Sequence, residues 1–136
     1  MNCPVCRNEA MIILELNGVE IDYCLNCKGI WLDSGELELL LGNSEETQKF
    51  LNSFIVDIIT SEHKLKCPIC SHKMEKILVG NEEKVRIDKC KTGDGIWFDA
   101  GELEEVLRMG TIGKNDKVYI LLKDMFGKRI IKQEEK

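Results

Sequence analysis

Residues 29–41 read Gly29-Ile30-Trp31-Leu32-Asp33-Ser34-Gly35-Glu36-Leu37-Glu38-Leu39-Leu40-Leu41. Residues 95–107 read Gly95-Ile96-Trp97-Phe98-Asp99-Ala100-Gly101-Glu102-Leu103-Glu104-Glu105-Val106-Leu107, and nine of these thirteen positions are identical in the two stretches. Self-similarity of this kind means two copies of one supersecondary unit. Each copy follows a cysteine cluster, and each cluster follows an upstream CPxC, Cys3-Pro4-Val5-Cys6 or Cys67-Pro68-Ile69-Cys70.

Working back from the first copy, the apolar run 9–16 suits a strand, and residues 19–24 alternate as a returning strand should. Asn17-Gly18 between them is a two-residue hairpin signal, because both positions tolerate φ > 0. Such a hairpin returns Cys24-Leu25-Asn26-Cys27 to the side of Cys3 and Cys6, and four converging thiolates are what tetrahedral zinc takes. In the second unit the strands are expected at 74–79 and 84–89. The loop Gly80-Asn81-Glu82-Glu83 is longer than Asn17-Gly18, which accounts for 19 residues between Cys70 and Cys90 against 17 between Cys6 and Cys24. Insertions at a hairpin tip leave the far end undisturbed.

Working forward, Asp33-x-x-Glu36 and Asp99-x-x-Glu102 have capping-box spacing, with Asp as N-cap. This predicts a short helix after each cluster, burying Leu37, Leu40 and Leu41 in one unit and Leu103, Val106 and Leu107 in the other. Trp31 and Trp97 are expected between hairpin and helix. Capping also accounts for these carboxylates without assigning them catalysis. A linker helix over 44–62 is read from the stripe Phe50, Leu51, Phe54, Ile55, Ile58 and Ile59. A C-terminal helix over 114–126 is read from Val118, Leu121, Leu122, Met125 and Phe126. The predicted fold is thus small, α+β and metal-stabilised: two hairpin units each followed by a short helix, a linker helix and a C-terminal helix. The expected boundaries are 1–42, 43–64, 65–110 and 111–136.

Composition fits this plan. Units of ~40 residues rarely bury enough apolar surface to stand alone and use metals or disulfides instead. Seven cysteines, an odd number, in a chain that opens Met1-Asn2-Cys3-Pro4 without a secretory pattern point to metal in a reducing, cytoplasmic setting. No run approaches the ~20 apolar residues of a membrane span. Residues 1–107 carry 11 Lys/Arg against 20 Asp/Glu, a net of −9, and residues 108–136 carry 8 against 4, a net of +4. An acidic body repels phosphate backbones, so protein is the expected partner ahead of nucleic acid. Lys123, Lys128, Arg129 and Lys132 are expected to be solvated. The apolar helices leave room for an oligomer.

The combination of CPxC, CxxC and Gly-x-Trp-x-Asp-x-Gly-Glu-Leu resembles the small zinc-ribbon family named for transcription factor TFIIB, over about residues 3–41 and 67–107. The resemblance implies a zinc-binding ribbon, and the family name implies a link to transcription. The second unit departs from the pattern. Cys27 aligns with Gly93, which leaves Cys67, Cys70 and Cys90 as its only thiols. Asp94 is the first candidate for the fourth ligand: it lies one residue further on, flanked by Gly93 and Gly95, at the position where relatives of this unit can carry His. His72 is the second candidate and water the third. Two zinc ions are expected, although iron also suits four thiolates.

Three functions follow. The leading one is a non-enzymatic interaction module for a protein partner, since a closed four-ligand site offers substrate no coordination position. The second is a nucleic-acid-binding regulator. The third is an enzyme or metal sensor built on an incomplete second site.

Overall fold

The computed structural model of the chain describes residues 1–16, 18–42, 45–80 and 84–110. The predicted turn residues Asn17 and 81–83 and the predicted C-terminal helix lie outside them. In the first unit, β1 (Ile12–Leu16) and β2 (Val19–Tyr23) pair antiparallel with Leu16 opposite Val19, and Gly18 takes φ 82° at the turn. In the second, β5 (Glu75–Val79) and β6 (Val85–Lys89) pair with Val79 opposite Val85.

The repeated motif itself supplies a third strand to each unit, β3 (Ile30–Asp33) and β7 (Gly95–Phe98). These two strands pair with each other, Ile30 opposite Phe98 and Trp31 opposite Trp97. Among the described residues the two ribbons therefore share one seven-stranded sheet, in the order β1-β2-β3-β7-β6-β5 and then a short edge strand described below. The halves face each other across an approximate twofold axis between β3 and β7.

Pleating sends alternate residues of β3 and β7 to opposite faces. Ile30, Leu32 and Phe98 join the main core, which α1 (Glu36–Leu41) and α3 (Glu102–Gly110) cover with Leu37, Leu40, Leu41, Leu103, Val106 and Leu107. Trp31 and Trp97 go to the other face. They are fully buried there among Cys3, Met11, Cys24, Cys67, Met74 and Cys90. The expectation that they lie between hairpin and helix is therefore corrected: strand alternation places them on the metal side of the sheet, away from both helices.

The motif glycines follow from the same geometry. A Cβ on Gly29 would lie 2.1 Å from Trp97 Cζ2, and one on Gly95 would lie 2.6 Å from Trp31 Cζ2 and 2.3 Å from the Leu32 carbonyl oxygen. Each unit's glycine is the floor on which the other unit's tryptophan rests.

The capping reading is half realised. Glu36 accepts from the Asp33 N–H at 2.6 Å and Glu102 from the Asp99 N–H at 2.8 Å, as a capping box requires. The aspartates, however, do not cap. Asp33 Oδ1 accepts from the Trp31 indole N–H at 2.8 Å and Asp99 Oδ1 from that of Trp97 at 3.0 Å, while Gly35, with φ 88°, is the N-cap of α1. A buried indole N–H needs a partner more than a solvated helix start does.

The predicted linker helix over 44–62 is also corrected. Helix α2 (Glu45–Asn52) stops where Ser53 turns its N–H and hydroxyl onto the Phe50 carbonyl. Ile55–Val56 then form β4, which pairs with β5 through Ile55 opposite Leu78 and Val56 opposite Ile77. β-Branched residues favour the extended backbone, and β5 offers an open row of edge groups. That combination outweighs the helical spacing of the apolar residues. Phe50, Leu51 and Phe54 still pack on the core, but Ile58 and Ile59 are 86% and 90% exposed. No helix among the described residues is long and apolar enough to cross a membrane.

Candidate metal centres

Both cysteine clusters sit at the open ends of their hairpins. The chain makes a tight turn after each CPxC, with Arg7 and Ser71 in the left-handed region at φ 66°. Bonds from Arg7 N–H to Cys3 O and from Ser71 N–H to Cys67 O close these turns at 2.8 and 2.9 Å. In the first cluster Cys24 N–H to Gly29 O and Lys28 N–H to Cys24 O close the opposing turn at 3.0 and 2.9 Å.

The four sulfurs of Cys3, Cys6, Cys24 and Cys27 all lie within 4.8 Å of one another. Cys3 and Cys27 are 3.6 Å apart and Cys24 and Cys6 are 3.8 Å apart. A tetrahedron with Zn–S near 2.3 Å has sulfur edges of about 3.8 Å, so the spacing fits zinc. Backbone N–H groups point at the sulfurs, Cys6 to Cys3 at 3.4 Å and Cys27 to Cys24 at 3.5 Å, and the Asn26 amide donates to Cys6 Sγ at 3.2 Å. Such outer donors spread thiolate charge and fix ligand orientation.

The second cluster brings together Cys67, Cys70, Cys90 and Asp94, again within 4.8 Å of one another. Cys70 and Cys90 are 3.7 Å apart, and Asp94 Oδ2 is 3.6 Å from Cys67 Sγ and 3.4 Å from Cys90 Sγ. With Zn–O near 2.1 Å a mixed tetrahedron has sulfur–oxygen edges of about 3.6 Å, and the set fits. His72 is exposed and is not among these groups.

The route to Asp94 is visible in the backbone. Lys28 carries the positive φ of the first turn, at 67°, but its aligned partner is Asp94, and the positive φ sits one residue earlier, at Gly93 with 88°. The Gly93 N–H bonds Cys90 O at 3.1 Å, a tighter closure than the Lys28 bond to Cys24 O, while Cys90 N–H to Gly95 O at 3.0 Å ends both loops alike. A glycine at the cysteine's place lets the turn tighten and swing the next side chain inward. The Asp94 carbonyl in turn accepts from Ser34 N–H of the first unit at 3.1 Å.

Two residues near the metals escaped the sequence reading, Asn26 and Thr92. The Thr92 hydroxyl lies 3.1 Å from Cys90 Sγ and 3.5 Å from Asp94 Oδ2. Their positions inside the CxxC-type turns are the signal that could have found them.

Electrostatics agree with metal sites. Burial raises the thiols of Cys3 and Cys27 and pushes that of Cys67 up to about 12. At Cys24 and Cys90 burial also acts upward, but hydrogen bonds outweigh it and the thiol values fall. Hydrogen bonds from the thiols, Cys70 first, hold the Asp94 carboxyl below its ordinary value. Without metal the clusters would carry protons, so metal binding must expel them.

A family model for TFIIB-type zinc ribbons, described as a transcription factor zinc-finger, matches residues 2–42 and 66–109, together more than half of the chain. Comparison with curated proteins and with solved structures returns no match.

Proposed function

The chain belongs to the TFIIB-type zinc-ribbon family, and from that premise we propose that it is a non-enzymatic interaction module, with zinc held by Cys3, Cys6, Cys24 and Cys27 and by Cys67, Cys70, Cys90 and Asp94, whose partner is a protein. Each donor set brings four ligand atoms within 4.8 Å of one another, which supports closed sites with no coordination position for substrate. The metals then serve the scaffold, and function lies on its surface.

The observation that carries the partner reading is the apolar edge at β4. Ile55 and Val56 are exposed, and Ile58 and Ile59 beyond them are almost wholly so. β4 is the terminal strand at its end of the sheet among the described residues. An apolar edge strand with unpaired backbone groups accepts a partner's strand or apolar face. The test is capture with zinc-loaded chain against Ile58→Glu/Ile59→Glu at equal metal content. A partner retained by the wild type and lost by the variant is expected. Identical capture by both proteins would refute this surface.

One observation favours a second reading. A cleft of about 640 Å³ between the two cysteine turns is lined by Arg7, His63, Lys64, Lys66 and Lys73 and, among the described residues, by no carboxylate. In an otherwise acidic body such a cleft suits a phosphate backbone. Should nucleic acid bind there through the four Lys/Arg groups, the logarithm of its affinity should fall with that of salt with a slope of about −4. Absence of DNA and RNA retardation at low salt removes this reading.

A further inference from the structure

The two ends of the sheet differ. At one end β4 covers the edge of β5, and the following residues fold over the outer face of the hairpin. Asp57 N–H bonds Lys76 O at 2.8 Å. Arg86 on β6 donates through Nε to Asp57 Oδ2 at 2.8 Å and through Nη1 to Glu62. At the other end β1 is the terminal strand among the described residues. Ile13, which occupies the position of the covered Lys76, is 65% exposed.

The repeat says what should cover it. Ile55 follows Leu41 by fourteen residues, and Leu121 follows Leu107 by fourteen. Aligned this way, Leu121, Leu122, Lys123 and Lys128 stand where Ile55, Val56, Asp57 and Glu62 stand in the first copy. Two apolar residues again precede a charge. On the hairpin, the counterpart of Arg86 is Glu20, because Arg86 faces Leu78 as Glu20 faces Glu15. The signs of Asp57, Glu62 and Arg86 are inverted, while Asp88 keeps its sign as Asp22 and Lys76, which also meets Glu62, becomes Ile13. One cation meeting Asp57 and Glu62 becomes one anion placed to meet Lys123 and Lys128, so the attraction is kept.

The hairpin face itself asks for cations. Ile13, Glu15, Glu20 and Asp22 share the outer face of β1 and β2, which carries no Lys or Arg, and Glu15 lies directly opposite Glu20. Like charges directly opposite each other destabilise a strand pair. Residues 108–136, by contrast, carry a net +4.

We propose that the outer edge of β1 is a docking surface for this chain's own segment 119–128: Leu121 and Leu122 add an eighth, antiparallel strand to β1, and Lys123 and Lys128 pair with Glu20. The twofold arrangement is then complete, with each ribbon closed by the segment that follows its own repeat helix.

Amide exchange on the full-length, zinc-loaded chain tests this. Lys76 and Leu78 turn their backbone groups toward β4, so the N–H groups of Ile13 and Glu15 are those an eighth strand would shield. They should exchange slowly in the wild type, and about tenfold faster in Lys123→Glu/Lys128→Glu, where two surface ion pairs become repulsions. That variant leaves both ribbons untouched. Adding Glu20→Lys to it restores attraction and should restore slow exchange. Three results overturn the proposal. One is fast exchange in the wild type. Another is protection that rises with protein concentration, which would place a second copy on the edge. The third is a helical pattern of proton contacts across 119–123.

Discussion

Replacing Gly29 by alanine tests the pairing of the two ribbons most directly. The new Cβ would sit 2.1 Å from Trp97 Cζ2 and 2.4 Å from Cη2. Carbon atoms in contact rest about 3.5–4.0 Å apart, so the indole edge or the β3 backbone must move by roughly 1.5 Å. Trp97 has no exposed surface and lies against Cys67, Met74 and Cys90, so it has nowhere to retreat. Overpacking a filled core costs about 1–3 kcal/mol, and this site belongs at the upper end. For a domain of this size that is a fall in Tm of roughly 10 °C. Urea unfolding in excess zinc, followed by tryptophan fluorescence, measures the change. Trp97→Phe removes the clashing atoms at its own cost, so Gly29→Ala/Trp97→Phe should be less unstable than the two changes summed, by about 1–2 kcal/mol. A cost below about 0.5 kcal/mol for Gly29→Ala, or strict additivity in the pair, would refute the interlock.

Three more expectations follow from the sites. Asp94→Ala should weaken one of the two zinc ions by more than the ~10–100-fold typical of losing an outer-shell partner, and leave the other in place, which competition with a chelating dye reads directly. Asp99→Ala strands the buried Trp97 N–H and should cost about 1–3 kcal/mol in denaturant unfolding, whereas Asp99→Asn keeps an acceptor and should cost less. Burial holds the Glu102 carboxyl at about 7 in the folded chain against an ordinary value of 4.5. The folded state then takes up a proton that the unfolded chain gives up, so this group's contribution falls as pH rises through 7. Wild type should lose on the order of 1 kcal/mol relative to Glu102→Gln between pH 6 and pH 8, after discounting for solvent screening.

Much of the fold was legible because two signals repeat. The CPxC and hairpin patterns recover β2, β5 and β6 within a residue and β1 with a start three residues early, and Leu37, Leu40, Leu41, Leu103, Val106 and Leu107 enter the core as the helix spacing predicts. The third strand of each ribbon was not legible. Four residues such as Ile30–Asp33 are too few to show a period, and their partner strand lies sixty-odd residues away. The same non-local pairing hid the reason for Gly29 and Gly95, which a single unit does not explain. Ile55, Ile58 and Ile59 were misread because an apolar stripe at helical spacing looks alike whether the backbone coils or extends. Only the open edge of β5 decides between them. Asp94 was legible as the residue beside a missing cysteine. What was not legible is that the turn around it tightens through Gly93.

The bond from Ser34 N–H to the Asp94 carbonyl couples the two centres. Ser34 belongs to the ribbon with four cysteines, and Asp94 to the ribbon with three. The backbone that aims the oxygen donor is thus fastened to its neighbour, and because such coupling is reciprocal, order in either ribbon steadies the other. With four soft thiolates against three and a carboxylate, the sulfur-only centre should fill first and so favour filling of the mixed one, and stripping should run in the reverse order. The chain would then answer falling zinc in two steps: the metal of the mixed centre departs while the first ribbon still holds its form, and the sheet opens only at the second loss.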